Sequence, residues 1–143
     1  MSRFHDGTLQ TARVMLTAAE IKALAATQKT LVPAQGANRV IVLESALLQL
    51  HDDGTDYDDA AGDGNLDIKY VDGDGTKAVT SIEADGFIDA TAEAFAVAPP
   101  IVVASGTVAQ LENVPLVLDN DGDEFTTGTR TMTVHISYRV YDV

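Results

Sequence analysis

The sequence contains no cysteine and no tryptophan. Without cysteine there is no disulfide, no thiolate metal site and no cysteine nucleophile, and the redox compartment stays undecided. Without tryptophan a carbohydrate-binding reading is weakened, because sugar platforms favour large aromatic rings. Cations are scarce too: nine Lys and Arg stand against 22 Asp and Glu, for a net charge of −13. Such a chain is repelled by nucleic-acid phosphates and by anionic membranes, so neither is expected as a partner. No apolar run is long enough to cross a bilayer, and the opening "SRFHDGTLQTAR" has no signal-peptide core, which points to folding in a cytoplasm. Catalytic motifs are missing as well. There is no Gly-x-Ser-x-Gly, and "GDGTKAVT" lacks the second Gly and the hydroxyl residue that a P-loop requires.

What is present is one domain's worth of chain, 143 residues of which 45% are hydrophobic, enough to build a core without staples. Its charge is uneven. Residues 1–50 sum to +2 and residues 51–143 to −15. That pattern suits either acidic residues gathered in solvated loops or a molecule with a docking side and an acidic, water-facing side.

The segment 1–13 has no periodicity and reads as a flexible N-terminal arm, with a short strand from about Thr11 to Leu16. In "TAAEIKALAAT", Thr17 and Glu20 fit a capping box, and the alanines favour a helix over 17–26. From Arg39 to Leu50 the alternation places Val40, Val42, Ala46, Leu48 and Leu50 on one face and Ile41, Leu43 and Leu47 on the other. Apolar residues on both faces predict a strand covered on both sides, the second cover coming from another subunit. "HDDGTDYDDAAGDGN" is a long acidic loop. "LDIKYV" alternates as a half-buried strand, "DGDG" turns it, and "KAVTSIEA" pairs back as a hairpin. "DATAEAFAVA" is a helical turn or an irregular crossover. "IVVA", "TVAQLE" and "VPLVLD" are short β-like runs. In "TMTVHISYRVY", Met132, Val134, Ile136, Tyr138 and Val140 share one face with a strict period of two. About eight strands, one short helix and long acidic loops predict an all-β, single-domain β-sandwich or jelly roll spanning 14–143.

The acid-rich "LDNDGDEF" invites a calcium reading. Counted from Asp119, an EF-hand loop needs Gly at position 6 and Glu at position 12, and the chain supplies Glu124 and Arg130. The stretch is therefore expected to be a β-turn at Gly122 joining strand 114–118 to strand 131–141. The carboxylates of 52–63 have no regular ligand spacing. His5, His51 and His135 are scattered, so no metal site and no cofactor are expected. Glu44 is the one carboxylate with interior character, and a glutamate in a central strand is expected to pair with a cation or face a subunit boundary. No enzyme is expected.

"LTAAEIKALAATQKTLVPAQGANRVIVLESALLQL", "SIEADGFIDATAEAFAVAPP", "PLVLDN" and "MTVHISYRV" together resemble a group of small structural proteins of tailed bacteriophages and prophages. The likeness covers about residues 14 to 141 and lies in the order of these segments rather than in a single motif. It implies a head decoration, or cement, protein: a symmetric oligomer on the outer capsid surface that helps the shell resist internal DNA pressure. The implied partners are the major capsid protein and further copies of the chain, a trimer ahead of a dimer. The resemblance carries no catalytic residues. A tail- or fibre-associated receptor- or carbohydrate-binding β-module is the alternative.

Two sets of residues follow as candidates. Arg3, Arg13, Lys22, Lys29 and Arg39 are five of the nine basic residues, and with Phe4 and Leu9 they are expected to meet an acidic capsid surface. Ile41, Leu43 and Leu47, the second apolar face of 39–50, are expected at the contact between copies.

Overall fold

The computed structural model describes residues 7–58, 64–101 and 107–143. In chain order the elements are β1 (Leu9–Leu16), α1 (Ala18–Lys22), β2 (Lys29–Val32), β3 (Arg39–Leu50), β4 (Asn65–Tyr70), β5 (Ile82–Glu83), β6 (Ala94–Ala98), α2 (Val108–Leu111), β7 (Leu116–Asn120) and β8 (Met132–Asp142). They form two four-stranded antiparallel sheets. The first has the order β1-β8-β3-β6 and the second β2-β7-β4-β5. This is the all-β sandwich expected from the alternation, with the core between the sheets.

The long strand β8 builds the first sheet. Met132, Val134, Ile136, Tyr138 and Val140 all point into the core, as their period of two requires. Leu66, Ile68, Leu116 and Leu118 face them from the second sheet and are fully buried. Tyr70 and Tyr138 are core residues whose hydroxyls keep partners: Tyr70 donates to the Ile41 carbonyl at 2.8 Å. The "DGDG" turn brings the chain back from β4, and β5 pairs with the start of β4 as the hairpin reading predicts.

Several expectations change. The first strand begins at Leu9, and residues 9–13 pair with Arg139 to His135 of β8, so that part of the arm expected over 1–13 is strand, while residues 1–6 lie outside the described residues. The pairing comes from the partner's backbone, which a local search for apolar alternation does not register. Arg3 and Phe4 lie outside the described residues. The helix expected over 17–26 is α1, Ala18–Lys22. Its capping box is formed as expected, with Thr17 and Glu20 satisfying each other's backbone donors. Beyond Lys22 the chain tightens into turns, Leu24 bonding to the Ile21 carbonyl and Ala26 to that of Ala23, because it must reverse into β2.

"TVAQLE" is not a strand. It contains α2, started where the Gln110 side chain accepts from the Thr107 amide at 3.0 Å. Of "IVVA", only Ile101 falls among the described residues. "DATAEAFAVA" ends in β6 rather than in a helix. The 121–131 stretch is not a hairpin turn either, since β7 and β8 belong to different sheets and the chain crosses between them.

The strand β3 holds the most consequential difference. Its register against β8 shifts between Leu43 and Ser45, an extra residue that turns the side-chain phase over. Ile41 and Leu43 before the bulge, and Ala46, Leu48 and Leu50 after it, therefore all face the same core. The two apolar faces read from strict alternation are one face interrupted by a bulge. Assigning Ile41 and Leu43 to an inter-subunit contact is thereby corrected: both are buried inside the single chain. Leu47 alone of the three points outward, half-buried.

Candidate functional site

The outer face of the first sheet carries the most exposed apolar surface among the described residues. Exposed large apolar side chains concentrate there: Leu9, Met15, Val42, Phe95, Val97 and Tyr141, with only Val71, Ile101 and Val143 elsewhere among the described residues. The strand registers align these groups. Arg13 opposes His135, His135 opposes Leu47, and Leu47 opposes Val97, so the four make one row across all four strands. The adjacent row runs Met15, Thr133, Gln49, Phe95. With strands ~4.8 Å apart, each row is roughly 14 Å wide. Met15 and Phe95 are each 59% exposed and Val97 is 71% exposed, which is high for apolar groups clustered on one face.

Polar groups between these side chains are paired. Glu44, at the bulge, accepts from Arg139 Nε at 3.0 Å, the cation partner expected for a central-strand glutamate. Glu93 is held by Gln49 at 3.1 Å and lies 3.4 Å from His51 Nδ1. His135 Nε2 meets Gln49 Oε1 at 3.2 Å. Arg13 is the exception. It is exposed and has no ion pair among the described residues.

The remaining sequence candidates do not join this face. Lys29 pairs with Glu20 beside α1. Arg39 pairs with Asp142 at 3.3 Å. Lys22 sits in the last turn of α1, half-buried and without an ion pair among the described residues. Of the five proposed contacts among the described residues, Leu9 and Arg13 lie on a common surface. The sequence reading missed Met15, Phe95 and Val97. Met15 was assigned no face, and Phe95 sat in a segment read as irregular.

A second feature lies on the other sheet. A cleft of about 580 Å³ is lined by Gln28, Lys69, Asp72, Asp74, Asp119 and Asp121, among others. Asp67 and Asp119 are cross-strand partners on β4 and β7, and both are buried. Lys69 Nζ donates to Asp119 at 2.8 Å and to the Gly73 carbonyl at 2.6 Å, and Lys77 Nζ stands 3.1 Å from Asp67. Burial alone would lower the Lys69 pKa, but the bond to Asp119, reinforced by the charges of Asp67 and Asp121, holds it above the ordinary lysine range. The Asp121 carboxylate accepts from the Asn65 amide at 2.7 Å, and the Asn120 side chain closes the turn onto Gly122 and Asp123. The acids of "LDNDGDEF" that are paired are thus engaged by protein donors. Among the described residues no group of three or more acidic or histidine side chains is arranged to hold a metal ion.

The 52–58 acids also have protein partners. Arg130 is buried and reaches both Asp52 and Asp56, and Asp53 accepts from the Thr131 amide at 2.9 Å. Tyr57 is buried and donates to the Arg130 carbonyl at 2.5 Å. Its burial, with the Asp53 charge nearby, pushes its phenol up to about 12.

These features define a two-sheet antiparallel sandwich with one apolar outer face. No protein-family model matches the sequence, and no curated protein matches it. Among solved structures, the chain is similar to one in the cyanophage Pam1 capsid asymmetric unit, with a TM-score of 0.50 and 12% identity over 94% of this chain and 86% of that one. It is also similar to a chain in the capsid of Ralstonia phage GP4, with a TM-score of 0.47 and 16% identity over 94% of this chain and 85% of that one. At such identities the likeness is one of fold.

Proposed function

We propose that the chain is a capsid decoration protein of a tailed bacteriophage. In this reading it binds the outside of the head shell through the major capsid protein and stabilises the shell, without catalysis. The observation that carries the reading is the sandwich shared over 94% of the chain with a capsid-derived chain of cyanophage Pam1. The ordered sequence segments that resemble tailed-phage structural proteins support it independently. Burial of Tyr57, Tyr70 and Tyr138 leaves few rings for a sugar platform, which disfavours the tail-module alternative.

The reading retains a homo-oligomer, a trimer ahead of a dimer, on a changed basis. The sheet order leaves β1 and β6 as edge strands of the first sheet. Edge strands offer unpaired backbone groups, and head-to-tail pairing of two different edges closes a ring.

The test is reconstitution. Purified chain is mixed with heads of its own phage that lack it, and the product is imaged by electron cryomicroscopy and challenged by heat. Density on the outer shell and a higher temperature of head rupture are expected. Heads that stay bare at saturating protein would overturn the reading.

A further inference from the structure

Resting on that reading, we infer that the chain docks through the outer face of the β1-β8-β3-β6 sheet onto an apolar shell surface that presents a carboxylate to Arg13. The face unites two properties. Most of the exposed large apolar side chains among the described residues lie on it. It also carries Arg13, a cation without an ion pair among the described residues, in a chain of net charge −13. A guanidinium left unmatched among so many carboxylates is placed to meet one on a partner, and Arg forms directional, two-pronged bonds to carboxylates.

The same charges argue against a second copy as occupant. Among the described residues, the acids on or beside this face are already engaged, Glu44 by Arg139 and Glu93 by Gln49 and His51. A second copy laid face to face would bring another Arg13 and, among the described residues, only carboxylates that already have a partner. A shell protein with an apolar patch and an exposed acid supplies both missing elements. Apolar burial of Phe95 and Val97 would hold the complex, and the Arg13 pair would fix its orientation.

Binding of fluorescently labelled chain to bare heads is measured for wild type, Arg13→Glu, Phe95→Ala with Val97→Ala, Lys22→Glu, and Asp74→Asn in the turn after β4 of the other sheet. Circular dichroism and light scattering of each free variant verify fold and association state. Arg13→Glu and the double apolar variant should each weaken binding by about tenfold or more, while Lys22→Glu and Asp74→Asn bind as wild type. If wild type binds and the face variants bind equally well, or if Lys22→Glu is the variant that fails, the docking face is wrong and the decoration reading stands. If the face variants instead convert a soluble oligomer to monomer, the occupant is a second copy and the inference falls. If wild type itself leaves heads bare, the inference and the decoration reading fall together.

Discussion

Arg130 and Asp56 meet at 2.6 Å, and the arginine side chain is only 2% exposed although that of Asp56 is 42% exposed. The same guanidinium reaches Asp52 at 2.8 Å and the carbonyls of Ala90 and Ala92 at 2.8 and 3.0 Å. One side chain thereby ties the 51–58 loop, the segment before β6 and the start of β8. Arg130→Met should cost about 2–3 kcal/mol, below the full penalty for a broken buried pair because both carboxylates keep access to water. Arg130→Lys should recover little of the loss, since an ammonium cannot span the same fork of acceptors. Urea unfolding midpoints of the three proteins check both statements.

The bulge in β3 makes a sharper prediction. Deleting Ser45 removes the extra residue, so regular alternation alone puts Ile41 and Leu43 in phase with Ala46, Leu48 and Leu50, and Tyr138 and Ser137 meet successive residues of β3. The protein should therefore still fold and unfold cooperatively in urea; insolubility or loss of cooperative unfolding would refute the bulge as the cause of the phase change. Glu44→Ala keeps the backbone count and removes only a partly exposed pair with Arg139, so its cost should stay within about 1 kcal/mol.

Val71 adopts φ of 76° just after β4, a region that β-branched residues avoid. It is exposed and its side chain is not part of the core. Val71→Gly should therefore raise stability, by about 1 kcal/mol once glycine's greater unfolded freedom is deducted. A lower urea midpoint for the variant would refute the strain argument.

Asp58 receives hydrogen bonds from the Thr126 hydroxyl at 2.8 Å and the Thr127 amide at 3.0 Å. The Thr126 and Thr127 bonds hold its carboxyl at about 2, below the usual carboxylate value. The folded state thus binds this proton later than the unfolded state does. The stabilisation is complete above the unfolded pKa of about 4 and disappears as pH falls through the folded value. Wild type should lose more stability than Asp58→Asn when the pH is lowered from about 5 to about 2. Parallel acid unfolding curves for the two proteins would contradict this.

The sequence by itself determined the β class, the inward face of β8 and the capped start of α1. Each of these is written in neighbouring residues, as a period of two or a Thr-x-x-Glu spacing, and strong local signals survive folding. It offered a cation partner or a subunit boundary for Glu44; the structure supplies Arg139 as the partner but leaves Glu44 exposed rather than interior. Only the tertiary structure decided the rest. The β3 bulge exists through register against β8, and alternation read along one strand cannot reveal where its partner slips. Thr107–Leu111 has residues that suit a strand or a helix, and its place beside β3 decided for the helix. The 121–131 stretch looked like a hairpin turn because its flanks are both strands, yet they were claimed by different sheets. Asp52 and Asp56 looked like solvated loop acids until Arg130, more than seventy positions away, closed on them. The outer apolar face likewise gathers Met15, Leu47 and Phe95 from three strands through backbone pairing. Its row of side chains comes into being only when those strands lie side by side.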